Sequence, residues 1–260
     1  MFVPQILPEL LTLSETFKHY FKIVPALSDA LRDEVYRIRH QVYCEELGYE
    51  AVRLDRRESD EYDRHSVHLL IRSVQASEFV GCIRMIKCRP ENLDYPLPFE
   101  KTCHSGLDRS IMNPTTLPRG TIAEVSRLAV IGRYRNRRGE HRRAVALSDK
   151  DFDMTKTPRF PYIPVSLYLG IAEVAHLHGI NTCFVLTETR LASHFHKLGF
   201  RIQTIGTPVD LHGPRVPSMM SPRTVIANLK PILRPLYHTI AADVAENRLR
   251  EIAVDKTYRS

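Results

Sequence analysis

The chain has 260 residues, 43% of them hydrophobic, which is enough to bury the core of one large α/β domain, alone or with an extension. The formal charge of +7 favours acidic partners such as nucleic acid, an anionic membrane, a phosphorylated cofactor or an acidic protein. No apolar run reaches the roughly 18 residues of a membrane-spanning helix, and "MFVPQILPELLTL" lacks the basic region of a signal peptide. Five cysteines without a C-x-x-C pair indicate reduced thiols and a cytoplasmic protein.

The N-terminal half predicts one helix and then antiparallel strands. Residues 28–47 repeat apolar side chains at helical spacing, Ser28 or Asp29 can cap that helix, and Gly48 can end it. The elements that follow are, in order, a polar loop at 50–64, strands at 66–74 and 79–88 joined as a hairpin, a proline-rich surface excursion at 89–119, and a strand at 121–131.

The C-terminal half predicts strands alternating with helices. Its elements are, in order, a basic loop at 132–163, a helix at 165–179, a buried parallel strand at 180–188, a short helix at 189–199, a strand at 200–206, a proline-rich link, and a helical tail at 223–254 broken by Pro231 and Pro235. This order predicts an α/β fold with a mixed central sheet flanked by helices. We expect one domain at residues 1–210 and a C-terminal helical extension, packed on it, at 211–260.

Charged residues interrupt the strand "TIAEVSRLAVI". Glu124 and Arg127 lie three apart and would point to opposite faces of an ideal strand, but a bulge between them would bring both toward one cleft. A carboxylate at Glu124 could accept an amine proton directly or through water. Charged partners of both signs occur earlier in the chain: Arg39, Asp60, Asp63 and Arg84. Buried charges need such partners, so these residues serve the cleft or only tie the N-terminal helix and loop to the sheet.

Two groups of motifs resemble known acyltransferases. Residues 168–205, with "FHKLGFRI", resemble the C-terminal half of a GNAT-type N-acyltransferase. The segments "RHQVYCEELGYE", "SDEYD", "GCIRMI" and "LPRGTIAEVSRL" resemble the bacterial autoinducer synthases, which make acyl-homoserine lactones on a GNAT-like fold. The matching positions span about residues 30–130 and are, in order, Arg39, Tyr43, Tyr49, Asp60, Asp63, Arg84, Glu124 and Arg127.

This resemblance implies a GNAT-like domain that moves a fatty acyl group from a thioester, on acyl carrier protein or coenzyme A, to an amine by direct attack. It implies no metal and no tightly bound cofactor, and it makes Glu124 the catalytic base. The implied substrate-binding residues are Arg39, Tyr43, Tyr49, Asp60, Asp63, Arg84, Ser126 and Arg127.

The resemblance does not fix the identity of the acceptor amine. Autoinducer synthases have phenylalanine and tryptophan where this chain has Tyr43 and Tyr49, and the chain has no tryptophan. The added hydroxyls favour a smaller polar acceptor, such as a free amino acid whose carboxylate pairs with Arg39, Arg84 or Arg127, over S-adenosylmethionine. Two neighbouring families, the N-acyl amino acid synthases and the exosortase-associated acyltransferases, are similar to the autoinducer synthases in the acyl-transfer half but use a different acceptor. The length and the C-terminal extension of this chain resemble the exosortase-associated group most.

A basic run follows the charged strand. GNAT enzymes cradle the coenzyme A pyrophosphate there with a glycine-rich pattern, of which "NRRGEH" keeps only Gly139. The arginines of the run are Arg133, Arg135, Arg137, Arg138, Arg142 and Arg143. We expect them, with Gly139, to bind the acidic acyl carrier protein or its thioester arm, and the alternative is a solvated loop without a partner. A peripheral membrane contact of the protein is a separate expectation. A non-catalytic nucleic-acid-binding protein is the hypothesis from another class, although no recognition helix or aromatic stacking platform is visible in the sequence.

Overall fold

The computed structural model of the protein describes residues 6–135 and 161–258. Its centre is one mixed sheet in the order β1-β2-β3-β4-β5-β8-β6, with β7 paired to β8. The strands are Phe21–Pro25 (β1), Ser66–Ser73 (β2), Glu78–Lys87 (β3), Ile122–Val130 (β4), Thr182–Thr187 (β5), Gln203–Thr204 (β6), Val209–Asp210 (β7) and Pro214–Met220 (β8). The α-helices are Ile6–Tyr20 (α1), Asp29–Arg39 (α2), Pro98–Thr102 (α3), Tyr162–Leu177 (α4), Thr189–Lys197 (α5), Pro222–Ala227 (α6) and Arg234–Tyr258 (α7). The predicted α/β class with a mixed sheet is confirmed.

The N-terminal half of the sheet is antiparallel from β1 to β4. The expected hairpin is present as β2 and β3, and the Ser28 side chain caps α2 by accepting the N–H of Leu31. After Arg39 the helix widens into a π-helical segment, His40–Glu46, where the sequence predicts a continuous α-helix. Single π-helical turns of this kind occur most often beside functional sites. Strand β1 and helix α1 are additions that the sequence pattern did not predict.

The parallel pairing of β4 with β5 is short. It joins Ile122–Val125 to Thr182–Val185, yet β4 continues to Val130 and β5 to Thr187. The two strands therefore separate beyond Val125, and the sheet has a gap at its centre.

The C-terminal end of the sheet differs from the prediction. The stretch expected as a proline-rich link contains β8, which pairs antiparallel with β5 and carries β6 on its other edge. The strand expected at 200–206 is reduced to Gln203–Thr204. The expected extension at 211–260 thus contributes a strand to the sheet, and its helical part begins at Pro222.

Helices cover both faces of the sheet. Helix α4 is apolar on nearly every side because it lies between the sheet and α7. At Gly170 a Cβ atom would be 3.0 Å from Leu69 of β2 and 3.4 Å from Ile240 of α7. Helix α2 packs against β2, β3 and β4 on the opposite face. No helix in residues 6–135 or 161–258 is long and apolar enough to cross a membrane.

Two glycines that end helices give a matched test of this packing. Gly179 has a φ of 70° with no atom within 4 Å of a Cβ, whereas Gly199 has a φ of 97° and a Cβ would lie 2.4 Å from the Asn228 carbonyl oxygen. We expect Gly179→Ala to lower the free energy of unfolding by about 1 kcal/mol, the cost of a left-handed backbone. Gly199→Ala should cost at least about 1 kcal/mol more, because the α6 backbone must also move. Equal urea-denaturation midpoints for the two variants would contradict the close approach of α5 to α6.

Candidate active site

A bulge in β4 brings Glu124 and Arg127 to one cavity. The register between β3 and β4 shifts between Cys82 and Arg84, so that β4 holds one more residue than β3 across the shift. Arg127 takes the left-handed backbone conformation, with a φ of 53°. Both charged side chains consequently line a cavity of about 410 Å³. The bulge that the sequence analysis considered as a way to bring both residues to one cleft is present.

The cavity occupies the gap between β4 and β5. Its apolar wall includes Val185 and Leu186 of β5 and Tyr168 of α4, and its polar wall includes Glu124 and Arg84. An apolar concave site with a few converging polar groups is the usual form of a small-molecule site.

Glu124 is a buried carboxyl group on the cavity wall, with 3% of its surface exposed. Its Oε2 accepts a 2.8 Å hydrogen bond from the backbone N–H of Phe99, in the first turn of α3. Loss of hydration raises the pKa of Glu124 to about 7, although the Phe99 N–H and the charges of Arg84 and Arg127 act against the rise. A carboxyl group with this pKa changes its protonation state near neutral pH, as a general base requires.

The raised pKa also links Glu124 to stability. The folded protein holds this proton more tightly than the unfolded chain, whose carboxyl titrates near pH 4.5. The resulting contribution to the free energy of unfolding is complete below that pH and is lost as pH rises through about 7.

Beside the cavity lies a buried cluster of ion pairs. The Arg39 side chain is fully buried; its Nε donates to Glu58 and its Nη1 lies 2.7 Å from Asp63 Oδ1. Arg84 Nη1 lies 2.8 Å from the same Asp63 oxygen and 2.7 Å from Asp60 Oδ1. Asp63 therefore bridges two arginines, one from α2 and one from β3.

Two carboxylates of this cluster, Glu58 and Asp63, are held in the ionised form by their arginine partners. Burial alone would raise the pKa values of Glu58 and Asp63, but the attraction of Arg39 outweighs it, helped by Arg84 at Asp63 and by Arg127 at Glu58. Both pKa values are therefore lowered. Sequence reasoning missed Glu58, because the acid-rich loop gives no sign of which carboxylate becomes buried.

The structure divides the expected substrate-binding residues into two groups. Those on the cavity wall are Tyr43, Tyr49, Asp60, Arg84, Ser126 and Arg127. Arg39 and Asp63 are not among the residues that line the cavity, and both side chains are buried beside it, where they pair with other charged residues. Arg84 connects the two groups, because its Nε donates to Ser126 Oγ at 3.2 Å while its Nη1 holds Asp60 and Asp63.

Several of the residues that line the cavity have aromatic rings, among them Tyr43, Tyr49 and His212. The Tyr43 hydroxyl donates to the Leu128 carbonyl oxygen at 2.9 Å. The hydroxyl that was expected to face a polar acceptor therefore already has a partner within the chain. Tyr49 stacks on His212, with ring centroids 4.3 Å apart and planes 3° apart. His212 lies in the turn between β7 and β8 and was not predicted, because the sequence showed no β8.

The described part of the arginine run is paired within the chain. Arg133 contacts Glu78, and Arg135 contacts Glu46, which also accepts the Gly132 N–H at 3.1 Å. These carboxylates offset the positive charge that the two arginines were expected to offer a carrier protein. The remaining expected residues lie outside the described residues: Arg137, Arg138, Gly139, Arg142 and Arg143.

Comparison with known proteins supports a GNAT-like fold. Residues 38–144 match a family model described as an acetyltransferase (GNAT) domain. This region begins at the last turn of α2, with Arg39, and contains the other residues of the buried ion pairs and the bulged strand β4. No curated protein matches the sequence significantly.

Solved structures of synthases share the fold. The acyl-homoserine lactone (AHL) synthase LasI superposes with a TM-score of 0.55 at 18% identity, covering 81% of this chain and 95% of LasI. BjaI, a coenzyme A-dependent acyl-homoserine lactone synthase, gives a TM-score of 0.55 at 19% identity, covering 89% and 99%. FeeM, an N-acyl amino acid synthase from uncultured soil microbes, gives 0.52 at 14% identity, covering 80% and 94%. The chain therefore has a GNAT-like fold of the kind found in these synthases.

Proposed function

We propose that the protein transfers an acyl group from a thioester to the amine of a small acceptor and forms an amide. The observation that carries this proposal is Glu124, a buried carboxyl group with a pKa of about 7 on the wall of a cavity that opens between β4 and β5. Glu124 would accept the proton of the attacking amine. The GNAT domain match and the fold of the similar synthases support the same chemistry.

Direct attack fits the cavity better than a covalent enzyme intermediate. All five cysteines are buried and none lines the cavity. Burial raises the pKa of Cys82, which lies behind the bulge, to about 12, so its thiol is not a ready nucleophile. Beyond Val125, the edge of β4 that faces β5 has no strand partner among the described residues, and backbone N–H groups there are suited to bind the thioester carbonyl oxygen as it becomes negative.

The donor in this proposal is acyl carrier protein, with acyl coenzyme A as the alternative. The formal charge of +7 and the arginine run support an acidic partner. BjaI is described as coenzyme A-dependent, so the shared fold is compatible with either donor. A link to the exosortase system and a cytoplasmic location stay predictions from the sequence.

Lactone synthesis from S-adenosylmethionine is the second candidate. The observation that favours it is the fold shared with LasI and BjaI, both acyl-homoserine lactone synthases. Product analysis separates the candidates, because lactone formation also releases the sulfur-containing part of S-adenosylmethionine, whereas simple amide formation does not.

The role of Glu124 predicts a specific pH dependence. At equal concentrations of the unprotonated amine, we expect the rate of acyl transfer to rise with pH through about 7, as the carboxyl group of Glu124 loses its proton and becomes a base. Glu124→Gln should lower kcat at pH 8 at least about tenfold and remove this rise. Glu61→Gln changes an exposed carboxylate on the same wall, and this control variant should keep the rise of the rate with pH. A folded Glu124→Gln enzyme with unchanged kcat would contradict the assignment.

The buried cluster predicts unequal effects of two neighbouring arginines. Arg39→Met leaves Glu58 and Asp63 buried without their main partner and should lower the free energy of unfolding by about 3–5 kcal/mol. Arg37→Met removes an exposed pair with Asp33 on the same helix and should cost less than about 1 kcal/mol. Chemical denaturation measures both, and similar small losses would show that the cluster is not the anchor of α2.

The carrier hypothesis predicts a donor-specific loss. Reversing Arg137 and Arg138 to Glu should weaken turnover with acyl carrier protein, and added salt should have the same effect, because exposed charges are screened beyond about 10 Å at 0.1 M salt. Turnover with a small acyl thioester should change much less. Equal losses with both donors would place these residues in thioester binding or in folding instead of carrier docking.

A further inference from the structure

Negative charge exceeds positive charge on the cavity wall. Among the residues that the structure describes, three arginines and five carboxylates line the cavity. The arginines are Arg84, Arg127 and Arg215, and the carboxylates are Glu50, Asp60, Glu61, Glu124 and Glu188. The amine and any other charged group of an acceptor must be placed in this environment.

The arginines deepest in the site are already bound by the chain's own carboxylates. Arg127 Nη2 lies 3.2 Å from Glu58, 3.5 Å from Glu50 and 3.7 Å from Asp60. Arg84 likewise contacts Asp60 and, beneath the wall, Asp63. A ligand carboxylate near either arginine would lie beside two or three existing carboxylates.

The third arginine of the cavity wall, Arg215, is also paired with a carboxylate of the chain. Arg215 lies 3.4 Å from Glu188. Arg39, the remaining arginine that the sequence analysis offered to a ligand carboxylate, is fully buried and bound by Glu58 and Asp63. Each guanidinium group considered for that role therefore has an internal anionic partner.

Glu124 differs from the other carboxylates of the wall. It forms no salt bridge with any described residue, and only one of its oxygens accepts a hydrogen bond from them, from the Phe99 N–H. Because the group is more than nine-tenths buried and lies on the cavity wall, its second oxygen is available to a donor on the ligand. An ammonium or amine group meets this need, and a carboxylate does not.

We infer that the acceptor is an amine that carries no carboxylate group, such as a monoamine, a diamine or an amino acid amide. This inference rests on the proposed function and replaces the free amino acid expected from the sequence. Arg127 Nε has no hydrogen-bond partner among the described residues, but the positive charge of Arg127 is already balanced by Glu50, Glu58 and Asp60. A ligand carboxylate there would add net negative charge, and like charges placed together in a buried site are costly. A second cationic group on the acceptor would be tolerated for the same reason.

The reaction balances without any other reactant. The acceptor ammonium loses one proton to solvent, and its nitrogen forms a bond to the thioester carbonyl carbon. Glu124 then takes the second proton from nitrogen, the carbon–sulfur bond breaks, and Glu124 gives this proton to the thiolate as it leaves, which returns the carboxylate to its starting state. The products are the amide and the free thiol.

The test compares acceptors that differ only at the carboxylate. Purified protein with an acyl thioester would receive phenylalanine, phenylalaninamide or 2-phenylethylamine, with parallel series built on leucine and lysine, and S-adenosylmethionine as a separate acceptor. We expect kcat/KM to be at least about tenfold higher for the amide and the decarboxylated amine than for the free acid. The free acid lies between them in amine basicity, so basicity cannot produce this order.

The outcomes of this comparison are distinct. Equal or better use of a free amino acid, or efficient use of S-adenosylmethionine, overturns the inference and leaves the proposed acyl transfer standing. Failure to acylate any of these amines, with the thioester intact, overturns the proposed function itself.

A pair of variants tests the cause. Glu50→Gln removes a carboxylate from Arg127 at a half-exposed position, so it should raise the use of free amino acids relative to their amides about threefold or more. Glu61→Gln removes a wall carboxylate that contacts Arg89 and Lys101 instead, and it should shift this ratio less. Equal ratios in the two variants and the parent protein would show that the pairing of Arg127 does not govern the choice of acceptor.

Discussion

The Asp63 carboxylate, shared by Arg39 and Arg84, is the interaction on which the site depends. One arginine comes from α2 and the other from the middle of β3, so a single buried oxygen joins the helical layer to the sheet. Its other oxygen accepts the N–H of Asp60 at 2.7 Å, which fixes the loop that carries Asp60 to the cavity. Buried charges of this kind are costly unless each is paired, and that requirement sets the positions of the helix, the strand and the loop together.

The bulge in β4 allows Glu124 and Arg127 to line the same cavity. A regular strand would send two residues three apart to opposite faces, and only one of them could reach the gap beside β5. The left-handed backbone at Arg127 costs about 1–2 kcal/mol, but Arg127 then reaches Glu58 and Asp60 at the edge of the cluster. Glu124 is buried and forms no salt bridge with a described residue, so burial raises its pKa, whereas the arginines beside Glu58 and Asp63 lower the pKa values of those two carboxyl groups.

The parts of the fold that follow periodicity could be predicted from the sequence. Helix α2, the β2–β3 hairpin and the parallel strand β5 each have a residue pattern that can be recognised within the segment itself. The spacing of Glu124 and Arg127 showed only that a bulge would be needed to bring both side chains to one cleft. Strand β8 could not be predicted in this way, because Pro214 and Pro217 weaken a local strand signal and its pairing with β5 is a long-range contact. For the same reason His212, which depends on the β7–β8 turn, was missed.

The site shows why matching residues does not fix their roles. Tyr43 was expected to offer a hydroxyl to a polar acceptor, yet that hydroxyl binds Leu128 across the bulge. Arg39 was expected to bind a carboxylate and does so, but the carboxylates belong to Glu58 and Asp63. In both cases the sequence predicts the kind of interaction that the side chain makes, but the partner is another residue of the chain and not a ligand. Once these internal pairs are formed, Glu124 is the cavity carboxyl group left to the ligand among the described residues, and a proton-donating amine is the ligand group that matches it.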